Sequence, residues 1–361
     1  MATKSKLTLL VDGNWLLMSR LAVLKNKYQD DDELNKQLKL MMVRSINVVL
    51  RTFTDIDNII FVADGGSWRN TVSIPSNLIR KRERGEIISE EYKGTRKQDD
   101  DINRDKLFES YESFIDTLSR NNITTCRIKG LEGDDWIYHW SHYLNNIGTN
   151  VIIWSADKDL TQLVKTDSTT NCFTVWWELN TGVKIASTNI NDDDNFLFNQ
   201  IYDYNHNIMM NIINKSKNVT KVDAKSIVID KIIKGDGSDN IQPIMIRHAK
   251  NPTSTKKYKI SSSDIDYTLD YNDDNKVLNY LTSLYYSKSY CDRVEDSLDE
   301  VFEHFKYNRK LVSLDINEMP DEIKEIMSEH ERLDHISKDI SVVQSTIEAQ
   351  SNELQSILEI L

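Results

Sequence analysis

Nine acids stand in positions from which they could hold divalent cations: Asp12, Asp64, Glu132, Asp134, Asp135, Asp157, Asp159, Asp236 and Asp239. Three of them crowd into GLEGDD, residues 130–135. Carboxylates so close repel one another by ~1 kcal/mol or more per pair. Asp157 and Asp159, at i and i+2, share one side of an extended segment. Taken singly, each acid is more often a helix cap or turn residue than a ligand, and Asp135 in particular could simply cap its helix. Taken together they ask for more, because caps do not require strand after strand to end in aspartate. Hard oxygen donors with no paired His or Cys nearby select Mg²⁺ or Mn²⁺ over zinc. Two such ions about 4 Å apart clamp a phosphodiester for in-line attack by water.

Three apolar runs must position these acids: LTLLVD ending at Asp12, NIIFVAD ending at Asp64, and VIIWSADKD ending at Asp157 and Asp159. Continuous apolar runs fit strands buried on both faces of a parallel sheet. Helical segments alternate with them. DKLFESYESFIDTLSR is one, and Trp136, Ile137, Trp140, Leu144 and Ile147 recur at helical spacing after GLEGDD. The pattern predicts an α/β fold with its site at the carboxyl edge of the strands. Past about residue 200 the strand signal fades, DAKSIVIDKIIKG reads as a helix, and lysine-rich loops follow. At the far end Leu333, Ile336, Ile340, Val343, Ile347, Leu354, Ile357 and Leu361 keep heptad-like spacing. Residues 331–361 are therefore expected to form a coiled coil, a partner-docking helix or a helix packed on its own domain.

The chain has 361 residues and a net charge of −12. Residues 294–361 hold 17 Asp/Glu against 6 Lys/Arg, whereas 215–260 hold 11 Lys/Arg against 4 Asp. The acidic total thus sits mainly in the tail, and one basic stretch is free to attract phosphate. Cys126, Cys172 and Cys291 lack metal-ligand spacing and read as reduced thiols of a cytoplasmic protein. The opening apolar stretch is too short for a signal or membrane segment.

LLVDGNWLL, FVADGGSWRN, EYKGTR, GLEGDDWIY, WSADKDLTQLV and KGDGSDNI occur in the order of the flap endonuclease and 5′-nuclease (PIN-like) superfamily, which the chain resembles over roughly residues 7–325. YNRKLVSLDINEMPDEI is similar to the C-terminal region of the RNase H enzymes of T-even bacteriophages. The resemblance implies a catalytic domain over 1–200 with a helical arch at 74–105, a helical duplex-binding region over 201–330, and the heptad helix. It implies a Mg²⁺-dependent 5′-3′ exonuclease and flap endonuclease with RNase H activity, acting on 5′ flaps, nicks and RNA–DNA hybrids in replication. The partner of the heptad helix 331–361 would be a second copy of itself, a sliding clamp or a single-strand-binding protein, and host cytoplasm the protein's place if viral. Asp12, Asp64, Asp134 and Asp135 would surround one ion, supported by Glu132; Asp157, Asp159, Asp236 and Asp239 would surround the second. Lys93 and Arg96 would meet the scissile phosphate and Tyr92 a terminal base. Arg69 is a phosphate contact or a structural pair. The arch stretch 79–97 would be poorly ordered without DNA. Lys256, Lys257 and Lys259 would grip the duplex, because QPIMIRHAKNPTSTKKYKI lacks the glycine-rich hairpin of many relatives. Gly133 stands where relatives often have alanine.

Other classes compete. DKDLT matches the D-x-D-x-T nucleophile of haloacid dehalogenase-type phosphatases, but that reading leaves Asp12, Asp64, GLEGDD and YKGTR without a purpose. A non-catalytic DNA-binding relative would be expected to have lost an acid, and the set is complete. A PIN-type RNA nuclease fits the acids but not YKGTR or the basic stretch.

Overall fold

The computed structural model describes residues 6–96, 102–167, 169–187, 207–249, 251, 254, 256–287, 291–329, 343 and 345–347. The chain divides into two units. One comprises Met1–Ser67, Asp99–Val222 and Asp321–Leu361, the other Trp68–Gln98 and Asp223–Pro320.

The first unit is built on strands β1 (Lys6–Asp12), β2 (Asn58–Val62), β3 (Thr124–Cys126), β4 (Thr149–Trp154), β5 (Lys165–Asp167), β6 (Cys172–Glu178), β7 (Gly182–Ala186) and β8 (Val219–Val222). Their order is β3-β2-β1-β4-β6-β7-β8, with β5 paired to β6. Strands β1, β2, β3, β4 and β6 run parallel, as the apolar runs predict. β5 and β7 run antiparallel to β6, and β8 runs parallel to β7. The chain moves outward from β1 to β2 and β3, then returns to the other side of β1 with β4. That reversal of strand order opens a crevice at the carboxyl ends of β1 and β4.

Alternate side chains of the sheet settle the layers. Leu7, Leu9 and Val11, with Ile59, Phe61, Ile152 and Trp154, join one apolar core. That core also takes in α1 (Gly13–Leu24), α2 (Asp31–Thr52) and α4 (Arg104–Arg120). Each buried side chain of this size stabilises the fold by about 1.5–3 kcal/mol. Helix α5 (Gly133–Asn146) packs on β1, β2 and β4. Residues 207–214 form α6, which adds Met209 and Ile212 to the core. The unit also holds α10 (Asp321–Glu329).

The second unit contains α3 (Ser76–Glu83), α7 (Ala224–Lys234), α8 (Asp274–Tyr286) and α9 (Leu298–Val312). Beside them lies an antiparallel sheet of β9 (Arg247–Ala249), β10 (Lys257–Tyr258) and β11 (Cys291–Val294), in the order β10-β9-β11. Leu78, Tyr92, Ile229, Ile232, Val277 and Phe305 share its core. Lys81 and Asp296 form a buried ion pair at 2.6 Å.

This division differs from the one read from the sequence. Strand β8 carries the main sheet beyond residue 200. The stretch 201–330 includes a three-stranded sheet, and residues 321–329 belong with the first unit. The arch segment through residue 96 is one short helix and a loop tied into the second unit, not a loosely held arch. Arg82 pairs with Glu90 at 2.9 Å, and Asn240 donates to the carbonyls of Ser89 and Glu91. Residues 97–101 lie outside the described residues. Of the heptad positions, Val343 and Ile347 are buried in the core of the first unit, which fits the helix-on-own-domain reading there. Leu333, Ile336, Ile340, Leu354, Ile357 and Leu361 lie outside the described residues. No described helix is long and apolar enough to cross a membrane.

Candidate active site

Asp12 ends β1 and caps α1, so one carboxylate serves both elements. Its Oδ1 accepts from the amide of Trp15 at 2.9 Å, and its Oδ2 accepts from the Ser155 hydroxyl at 2.6 Å. Ser155 follows β4 immediately, at the other lip of the crevice. Burial, reinforced by the charges of Asp64 and Asp157, raises the Asp12 carboxyl from 3.8 to about 6 despite these two hydrogen bonds. The charges of Asp64 and Asp157 thus both act on Asp12. A cation among them would relieve both costs.

Asp64 follows β2 and is tied on both sides. Its Oδ1 accepts from the amide of Gly133 at 2.6 Å and its Oδ2 from Asn14 at 2.6 Å. The start of α5 thus turns its first amide toward an acid of another strand, where helix-end partial charge favours an anion. This is part of what makes the crowding in GLEGDD tolerable. Asp135 is fully buried and accepts from the amide of Glu132 at 3.1 Å, in keeping with the helix-start role that its position also allowed. Glu132 is buried and Asp134 half-buried on the same turn. A side chain at Gly133 would place its Cβ 3.1 Å from Asp64 Oδ1, so glycine is what lets the two elements close up. Gly65 is tighter still, because a Cβ there would lie 1.8 Å from the Ile128 carbonyl. Asp157 is exposed, with Oδ1 accepting from the Asp159 amide at 2.9 Å.

In the second unit two motifs 140 positions apart meet. Arg96 pairs with Asp239 at 2.5 Å, Tyr92 Oη donates to Asp239 Oδ2 at 3.4 Å, and the Lys93 amide donates to the Asp239 carbonyl at 2.8 Å. Lys93 has φ +56°, and its Nζ sits 4.7 Å above the Tyr92 ring, a cation–π contact. Asp236 accepts from Lys231 at 2.6 Å and from Ser238. Burial alone would raise its carboxyl, but these partners outweigh burial and hold it below the usual range. Asp236 and Asp239 thus each have a cationic partner within their own unit. Tyr92 is almost fully buried, which leaves little ring face for stacking on a base. Arg69 is corrected from possible phosphate contact to structural residue. It is 3% exposed, donates to the Leu311 carbonyl at 3.1 Å, and stacks on Trp68. Lys256, Lys257 and Lys259 are exposed, with Lys257 in β10 rather than on a loop.

Among the described residues, no group of three or more His, Cys, Asp or Glu side chains is arranged to hold a metal ion. N–H and O–H donors from Trp15, Ser155, Asn14, Gly133 and Asp159 bond to oxygens of Asp12, Asp64 and Asp157. The donor set is nonetheless all oxygen and mutually repelling, which fits a hard divalent ion. Sequence reasoning missed Ser155, Asn14, Tyr111 and Arg127. The last donates to the Asp64 carbonyl at 3.0 Å and pairs with Glu112 at 2.7 Å. Only Asn14 and Ser155 carried any signal, lying within two residues of predicted acids.

Among solved structures, that of the bacteriophage T5 flap endonuclease in a pseudo-enzyme–product complex with DNA and metal ions is similar. It shares 15% identity at a TM-score of 0.53, over 94% of this chain and all of that one. A phage T5 protein co-crystallised with metal ions matches at 15% identity and a TM-score of 0.50, over 94% of this chain and 99% of that one. At such identity the likeness speaks for the fold. Comparison with curated proteins finds no match. Residues 7–194, more than half of the chain, match the model of the 5′-3′ exonuclease N-terminal resolvase-like domain, and the chain belongs to that family of nucleases.

Proposed function

We propose that this protein is a divalent-metal-dependent, structure-specific 5′-3′ exonuclease and flap endonuclease. It also degrades RNA in RNA–DNA hybrids and clears primers and 5′ flaps during replication. The observation that carries the reading is the buried Asp12 carboxyl, raised to about 6 beside Asp64 and Asp157 at the switch point of the sheet. Asp12, Asp64, Asp134 and Asp157 would hold Mg²⁺ or Mn²⁺, with Glu132 and Asp159 in support. Such ions supply positive charge at the phosphate and an activated water near neutral pH. Asp12, whose carboxyl burial raises to about 6, would offer its carboxylate to such an ion above that pH. Lys93 and Arg96 bring fixed positive charge, and a phosphate that reaches Arg96 competes with Asp239 for it. Exposed Lys256, Lys257 and Lys259 offer sequence-independent contacts to duplex phosphates. The T5 flap endonuclease, crystallised with DNA and metal ions, supports a nucleic-acid substrate. Family membership sets the phosphatase reading aside.

The test uses end-labelled 5′-flap, nicked and RNA-primed duplexes, with Mg²⁺ and with chelator. Products bearing 5′-phosphates are expected, lost in chelator and in Asp157→Asn while flap binding persists. Cleavage that survives in chelator, or in Asp157→Asn with Mg²⁺, refutes the metal assignment.

A further inference from the structure

Asp64 is exposed, and an exposed carboxylate ordinarily samples several rotamers. Here it is held by a two-point clasp from one side chain. Asn14 Nδ2 donates to Asp64 Oδ2 at 2.6 Å, and the Asp64 amide donates back to Asn14 Oδ1 at 3.1 Å. The orientation of the Asn14 amide is fixed in turn by Tyr111, whose hydroxyl donates to the same Oδ1 at 3.2 Å. Turning the amide over would set its NH₂ against two N–H and O–H donors, so one orientation holds.

Tyr111 is built for this donation. Burial, with the charges of Asp12 and Asp64, pushes its ionisation well above 10, so it keeps its proton at any working pH. Its ring packs against Phe61 at 6.3 Å between centroids. Gly13 makes the approach possible, since a Cβ there would lie 2.5 Å from the Tyr111 hydroxyl and 2.4 Å from Phe61. The first turn of α1 therefore governs two acids from different strands: Asp12 as its cap and Asp64 through the clasp.

We propose that Asn14, seconded by Tyr111, is a positioning residue that sets the orientation in which Asp64 meets a divalent ion. The inference rests on the metal reading given above. Where the clasp is absent, Asp64 keeps the bond from the Gly133 amide to Oδ1 but loses the Asn14 bond to Oδ2, and affinity falls by the cost of ordering that oxygen at the moment of ion binding.

The test uses the full chain with Mn²⁺ as the probe, measuring ion binding by calorimetry, Tm in chelator, and flap cleavage. Asn14→Ala is expected to weaken Mn²⁺ binding five- to twentyfold. Turnover should fall at limiting Mn²⁺ and recover in excess, with the KM for the flap substrate within twofold of wild type. Its Tm in chelator should stay within 3 °C of wild type. Tyr111→Phe, which removes only the hydroxyl, should weaken Mn²⁺ binding two- to fivefold, and it decides the matter if Asn14→Ala does not fold. Unaltered Mn²⁺ binding, or a larger fall in Tm in chelator, overturns the assignment and leaves Asn14 a structural residue. A wild-type protein that takes up no Mn²⁺ would overturn the metal reading itself. A wild type that binds while Asn14→Ala binds equally sinks only the Asn14 inference.

Discussion

Asp12→Asn separates the cost of the site from its use. The folded protein holds the Asp12 proton until about pH 6, whereas an ordinary aspartate releases it near 3.8. Between those values the native state binds more protons than the unfolded chain, so the contribution of Asp12 to stability falls as pH rises through the window. By pH 7.5 the ionised, buried carboxylate destabilises the metal-free fold by ~3 kcal/mol. Asparagine removes that cost and keeps the bond from Trp15. It must, however, donate to Ser155, whose hydroxyl already accepts from the Asp157 amide at 2.9 Å. The Ser155 proton then needs a new partner, which returns about 1 kcal/mol. The net expectation is a metal-free variant more stable than wild type by about 2 kcal/mol at pH 7.5. That corresponds to about 4–8 °C in Tm for a unit of this size.

Scanning calorimetry in chelator at pH 4.5, 6 and 7.5 measures this directly. The advantage of the variant should shrink to near zero by pH 4.5, where wild-type Asp12 is already protonated in the native state. Saturating Mn²⁺ should reverse the order, stabilising wild type by ~2.7 kcal/mol at a hundred times the dissociation constant and the variant hardly at all. Nuclease activity of the variant should fall at least a hundredfold. A variant less stable than wild type at pH 7.5 in chelator, or an offset independent of pH, would refute the reasoning.

Ser155→Ala removes the donor at 2.6 Å that favours the charged form of Asp12, so the acidic limb of the pH–activity profile should move up by up to ~1 pH unit; an unmoved limb removes Ser155 from the site. Gly65→Ala drives a Cβ into the Ile128 carbonyl and should cost several degrees in Tm together with activity, which thermal unfolding beside a flap assay will show. Lys81→Met strands Asp296 as a buried charge and should destabilise by ~3–5 kcal/mol, much of it recovered by pairing it with Asp296→Leu; denaturant titration of the three variants decides. Charge reversal at Lys256, Lys257 and Lys259 should flatten the salt dependence of duplex binding, and an unchanged slope excludes that face.

What the sequence made legible follows from how each signal is encoded. The strands β1, β2 and β4 were readable because burial on both faces demands continuous apolar runs, and the crevice followed from their order. Helix α5 was readable from its Trp and Leu spacing. By contrast β8 is only VTKV, mostly exposed, and is a strand because β7 offers it a parallel edge. β9 and β10 are three and two residues long, below the length at which alternation can be recognised. Arg69 could be read two ways because nothing in FVADGGSWRN marks its burial, which goes with a bond to the distant carbonyl of Leu311. The acids of the site were visible as residue types. Their partners Tyr111 and Arg127 were not, because tyrosine and arginine on an amphipathic helix or after a short strand carry no mark of what they will face.

The two groups of acids also differ in how their charge is met, and the difference bears on function. In the first unit, a serine, an asparagine and backbone amides in the first turns of two helices donate to Asp12 and Asp64. Such donors orient a carboxylate without neutralising it, so the charge stays available to a cation. In the second unit, Asp236 and Asp239 are met by Lys231 and Arg96, whose full charges compete with any ion. For an ion to bind Asp239 or Asp236, Arg96 or Lys231 must be drawn away. A phosphate arriving at Arg96 would do that for Asp239, so ion uptake by the second group should strengthen when flap DNA is bound. Mn²⁺ titration with and without a non-cleavable flap measures it. Equal ion stoichiometry and affinity in the two conditions would show that the acids of the second unit act on their own.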